Sequence, residues 1–169
     1  TPSGSSNRAG TDVLAYTLMA FAAGDPITVS APGDGLPGFS TEVSAVAPLI
    51  TELGNSAEPM ALDPSDGATL TWQPNDDGGR VRVKINADNP AHGAAFAAII
   101  ECDSADDGTI VIDPSLVAAF PATVSGGACA GSDCPASSIT RYRQVGVDLD
   151  GARVDVLVGD RREFWISRP

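Results

Sequence analysis

The sequence predicts an all-β protein, an antiparallel β-sandwich with one short crossover helix, and three observations carry that prediction. Apolar and polar residues alternate with a period of two in several segments, most regularly in Arg80-Val-Arg-Val-Lys-Ile-Asn86, as strands with one buried face require. Turn residues punctuate the chain, with 18 Gly and 13 Pro in 169 residues, and they cluster between the apolar segments. Helix-boundary chemistry stands out at one segment, residues 113–120. A chain that is 43% apolar has enough nonpolar side chains for two sheets to bury one face each.

The elements follow in order. Residues 1–10 are small and polar and read as a flexible tether, leaving 11–169 as one sandwich domain. Strands are predicted at 12–22, 27–31, 39–47, 68–72, 80–86, 94–102, 109–112, 138–143, 144–149, 153–158 and 163–167. In the strand 80–86, Val81, Val83 and Ile85 point inward, and Arg80, Arg82 and Lys84 form a row on the outer face. Val154, Val156 and Val158 repeat the inward pattern, and Asp150-Gly151 sits before them as a hairpin turn, because Gly accepts the positive φ of a tight turn. Further turns are signalled at Gly24-Asp25-Pro26, Asp76-Asp77-Gly78-Gly79 and Asp106-Asp107-Gly108. The helix has Asp113 to cap its free amides, Pro114 at its first position and Pro121 to end it. Trp72 shares a strand face with Leu70 and reads as core. Trp165, between Phe164 and Ile166, reads as packed against the sandwich edge or a neighbouring subunit.

Composition excludes several function classes. The net charge is −12, from 22 acids against 10 bases, so nucleic acid is not an expected partner. No apolar run reaches the ~20 residues of a membrane helix, so no membrane span is expected. The charge is segregated: residues 1–79 carry one Arg against ten acids, residues 80–137 three bases against seven acids, and residues 138–169 six Arg against five acids. Residues 138–169 are therefore the one part that is not acidic.

Motifs for catalysis are missing. His92 is the single histidine, so any triad with a His base would have to use it, and no nucleophile elbow, phosphate-cradling loop or zinc-protease motif is present. The chain is expected not to be an enzyme. Asp103, Asp106 and Asp107 form an acidic loop worth testing for calcium, since hard cations prefer clustered oxygens. Numbered as an EF-hand loop, Asp103, Asp107 and Gly108 match positions 1, 5 and 6, but Ala105 and Pro114 remove the ligands at positions 3 and 12. What is left is a weak, irregular calcium candidate, and no other cofactor is expected.

Cys129 and Cys134 lie in the Gly-rich loop Ser125-Gly-Gly-Ala-Cys-Ala-Gly-Ser-Asp-Cys-Pro135. Four intervening residues make a small disulfide loop feasible, which would place the chain in an oxidising compartment. A zinc site would need all three Cys and His92, whose spacing is wrong for it. Cys102 reads as a buried free thiol, with its pairing to either loop cysteine the remaining alternative.

A family resemblance adds to this reading. Ile27-Thr-Val-Ser-Ala-Pro-Gly-Asp-Gly-Leu-Pro-Gly38 precedes Phe39-Ser-Thr-Glu-Val-Ser-Ala-Val-Ala-Pro48, followed by Thr69-Leu-Thr-Trp72, Glu101-Cys102 and Gly108-Thr-Ile-Val-Ile-Asp-Pro-Ser-Leu116. This order resembles an uncharacterised immunoglobulin-like or fibronectin-III-like module of secreted myxobacterial lipoproteins, over most of residues 20–158. The resemblance implies a surface or periplasmic sandwich, carries over no catalytic residue, and supports the Cys129–Cys134 pairing, because the counterpart of Cys102 often lacks a partner.

Two functions are carried forward. The first is a non-enzymatic interaction or structural module, secreted, periplasmic or on the outer surface, with a lipid anchor before processing allowed for. Its partner would be another protein or a second copy of the chain. The second is a ligand-binding module for glycan or calcium. The outer row Arg80, Arg82 and Lys84 is the candidate interaction surface, docking on an acidic neighbour or an anionic glycan, with the strand of Arg153 and Asp155 expected beside it. A free edge strand would favour the first function.

Overall fold

The computed structural model describes residues 21–33, 37–53, 58–86, 98–121 and 137–168. They form an all-β fold with one short helix. The strands are β1 (Pro26–Ala31), β2 (Phe39–Ser44), β3 (Met60–Ala61), β4 (Ala68–Thr71), β5 (Arg80–Asn86), β6 (Ile99–Ala105), β7 (Thr109–Ile112), β8 (Ser137–Leu149), β9 (Ala152–Phe164) and β10 (Ile166–Ser167), with helix α1 (Pro114–Ala119) between β7 and β8.

The largest sheet has the order β6-β5-β8-β9, antiparallel throughout. Three two-stranded sheets accompany it: β1-β2 and β4-β7, both antiparallel, and the parallel pair β10-β3. Alternation in β5 works as its sequence requires. Val81, Val83 and Ile85 are fully buried and share one apolar cluster with Ile139 of β8 and Phe164 of β9. Leu70 of β4, Ile112 of β7 and Val117 of α1 join the same cluster. The four-stranded sheet thus faces β4, β7, the β10-β3 pair and the helix across a common core, and each Val or Ile buried there contributes about 1.5–3 kcal/mol. The two-layer packing fits a sandwich.

The helix forms as its boundary residues dictate. Asp113 accepts from the Ser115 amide at 2.7 Å, Pro114 occupies the first turn, and the Phe120 amide closes the last turn on the carbonyls of Leu116 and Val117. The β8–β9 turn is Asp150-Gly151, with Gly151 at φ 74°. Gly159 of β9 is required for close approach, since a Cβ there would lie 2.6 Å from the Arg141 carbonyl oxygen.

Some expectations are revised. The predicted strands 138–143 and 144–149 are one strand, β8, and β9 runs on from Val158 through the polar stretch Gly159–Arg162 to Phe164. β6 (Ile99–Ala105) runs on past the predicted end at Cys102, because its register with β5 continues to Ala105 opposite Arg80, and residues 94–97 of the predicted strand lie outside the described residues. β3 was not anticipated: a two-residue strand made by pairing with β10 has no periodicity of its own. The strand of Arg153 does not flank the row on β5. β8 lies between them, and Arg153 pairs with Asp148 near the hairpin tip. The predicted strand 12–22 lies almost wholly outside the described residues, as do the tether 1–10, His92, Cys129 and Cys134. Among the described residues no helix is long and apolar enough to cross a membrane.

Candidate functional site

The outer face of the four-stranded sheet brings together the row singled out from sequence. Arg82 stands opposite Asp103 on β6, and Arg80 opposite Tyr142 on β8. Arg80 Nε donates to Asp103 Oδ1 at 2.6 Å, and Arg82 Nε donates to Oδ2 at 3.1 Å. The Tyr142 hydroxyl also donates to Asp103. Arg82 Nη2 donates to the Tyr142 hydroxyl at 3.1 Å, with its guanidinium 4.9 Å from the Tyr142 ring centroid, a cation–π geometry. Glu101 approaches Arg82 at 3.5 Å. Burial pulls the Asp103 carboxyl upward, but the bonds from Tyr142, Arg80 and Arg82 outweigh it and hold the group below its ordinary value of 3.8. Two of the three cations in the row are therefore already answered by acids of the neighbouring strand. Lys84, opposite Glu101 and Ser138, makes no ion pair among the described residues.

The three aspartates of the calcium candidate do not assemble into one oxygen cage. Asp103 faces outward to the arginines just described. Asp106 turns inward, buried, and its carboxylate accepts from Arg141 Nε at 2.7 Å and Nη2 at 3.2 Å, and from the Trp72 indole at 2.6 Å. Asp107 is exposed and accepts from the Thr109 amide at 3.4 Å. Among the described residues no group of three His, Cys, Asp or Glu is placed to hold a metal. Cys102 is half-buried against the core and is a free thiol among the described residues. Burial, reinforced by Glu101, pushes its pKa up, which makes it a poor nucleophile.

Arg141 was not anticipated. It is buried, and besides Asp106 it donates to the carbonyls of Ala47 at 3.3 Å, Pro48 at 2.6 Å and Gln73 at 2.5 Å. A signal existed in the sequence: Arg141 has the same parity as Ile139, Val145 and Val147 and so belongs to the inward face of β8.

The second surface feature is the outer edge of β9, which has no partner strand among the described residues. The two-residue turn makes Leu149 and Ala152 the first hydrogen-bonded pair, so even-numbered residues of β9 turn their amides and carbonyls to β8. Odd-numbered residues, from Arg153 to Glu163, turn theirs away from the sheet. At Trp165 the outward side is taken, its carbonyl accepting from the Met60 amide at 2.8 Å. Along the open stretch the outer-face side chains are Arg153, Asp155, Leu157, Gly159, Arg161 and Glu163. Arg153 pairs with Asp155 at 3.0 Å and Arg161 with Glu163 at 3.1 Å, all four exposed. Leu157 is 48% exposed. The edge was hidden from sequence reasoning because the polar run Gly159–Arg162 divides the strand into two apolar stretches.

Clefts offer less. One of about 330 Å³ beside β3 and β4 opens to solvent and is lined by Glu52, Leu53, Glu58, Met60, Thr69, Leu70 and Thr71, with no His or Cys. No family model, curated protein or solved structure matches this chain.

Proposed function

We propose that this chain is a non-enzymatic interaction and structural module, an immunoglobulin-like β-sandwich working outside the cytoplasm, secreted or attached to the envelope, that holds a protein partner by strand addition. The observation that carries this reading is the edge of β9 from Arg153 to Glu163, whose outward backbone groups have no partner strand among the described residues. Such an edge accepts an extended segment through main-chain hydrogen bonds, with the alternate side chains setting specificity. The small polar N-terminal stretch and the Cys129/Cys134 loop support the location. The outer row on β5 is secondary, since Asp103 and Glu101 already occupy Arg80 and Arg82.

The test places a photo-cross-linking side chain at Leu157 and, separately, at Lys84, in a native preparation. A protein adduct at Leu157, lost when Arg161 is changed to Glu and not found at Lys84, is expected. Adducts only at Lys84, or none at either position, would overturn the reading.

A further inference from the structure

We infer that the occupant of the β9 edge is a second copy of this chain, its β9 laid antiparallel across a two-fold axis at Val158. The inference rests on the strand-addition reading and names its partner. Backbone geometry limits the pairings, because only odd-numbered residues face the open edge, so odd residues of one copy must oppose odd residues of the other. A two-fold axis at Val158 sets Arg153 opposite Glu163, Asp155 opposite Arg161 and Leu157 opposite Gly159, each pair occurring twice. Every charge on the outer face then meets its opposite. An axis at Leu157 would set Arg153 against Arg161, and an axis at Gly159 would set Asp155 against Glu163, so the neighbouring registers are penalised by like charges. The match also uses the whole open stretch, since the edge beyond Glu163 is closed by Met60 on Trp165.

Three further observations agree. Leu157, large, apolar and 48% exposed, falls beside a glycine of the other copy, which leaves room for its side chain. The inward charges of β9 need no new partners: Asp160 already accepts from the Leu49 amide at 2.8 Å and from Arg162 at 3.3 Å. The chain carries a net −12, yet residues 138–169 carry six Arg against five acids, so this is where two copies can meet with least repulsion. The product is one continuous eight-stranded sheet, joined by up to about twelve main-chain hydrogen bonds.

Charge inversion tests the register. A chain with Arg153→Glu, Asp155→Arg, Arg161→Asp and Glu163→Arg together keeps the net charge, the pairs along the strand and the pairs across the axis, but opposes like charges against the unaltered chain. Sedimentation and native mass spectrometry should show that each chain dimerises alone and that the two do not mix, whereas Arg161→Glu alone weakens dimerisation about tenfold. Leu157→Pro removes an edge amide while sparing the bonds to β8, as proline on a strand edge can. It should give a folded monomer, with an unchanged circular dichroism spectrum. An unaltered chain that stays monomeric at millimolar concentration, or that mixes freely with the inverted chain, would overturn self-pairing. If the monomer is accompanied by a Leu157 adduct to a different protein, strand addition survives and only the identity of the partner fails. With no adduct, both fail.

Discussion

Asp103 and Asp106 sit three residues apart in one acidic stretch, and they meet arginines in opposite environments. Asp103 lies on the outer face, where Arg80, Arg82 and Tyr142 share its carboxylate and its side chain stays 25% exposed. Asp106 lies inside, bound by the two-pronged guanidinium of Arg141 and the Trp72 indole. Both are aspartate–arginine contacts of similar length, yet their energetic weight differs. Outside, an ion pair exchanges one hydrated state for another and contributes little. Inside, each partner has given up its water, and removing one leaves the other buried and unanswered.

Asp106→Ala is the sharpest way to break the comparison. It should cost about 3–5 kcal/mol in urea denaturation at neutral pH, and a loss under about 1 kcal/mol would erase the distinction. Replacing both partners with apolar residues should not restore stability, because the carbonyls of Ala47, Pro48 and Gln73 and the Trp72 indole would also lose a partner.

Acidity sharpens the outer half. The folded-state value of Asp103 is depressed, so its contribution is present above the unfolded value and is lost as pH falls through the folded one. The stability gap between the unaltered chain and Asp103→Asn should hold constant from about pH 6 to 8 and shrink below about pH 4. A gap that widens on acidification would contradict the assignment.

Arg80→Ala should have the smallest effect of the three, fading as salt rises through ~0.15 M. A loss as large as that of Asp106→Ala would mean that the outer cluster is a structural centre in its own right.

Legibility from sequence follows the same division. β5 and β7 are legible with their full bounds, because alternation inside a strand reports one buried face directly, and the helix is legible from Asp113, Pro114 and Pro121. The outer partners were readable only as a row: Arg80, Arg82 and Lys84 announce a face, but which acids oppose them depends on the register of β6, which no residue in β5 specifies. Arg141 sits on the apolar parity of β8 but is not legible as core, because a charged residue ordinarily faces solvent and its acceptors come from three distant segments. The acids of the calcium candidate looked alike as a run, and only the pleat, sending Asp103 outward and Asp106 inward, separated them.

The Arg141 guanidinium also has a consequence for the order in which the chain folds. Its partners lie 35, 68, 93 and 94 residues away in sequence, while the β8–β9 hairpin that carries it can close locally across Asp150-Gly151. Closing the long loops costs entropy before any of those bonds repays it. The hairpin is therefore expected to form with a bare arginine on its apolar side, before the segments carrying Asp106 and the three carbonyls arrive. Loss of the Asp106 contact should then accelerate unfolding far more than it slows folding, which makes the arginine a latch set after the sheets have met rather than a nucleus around which they gather.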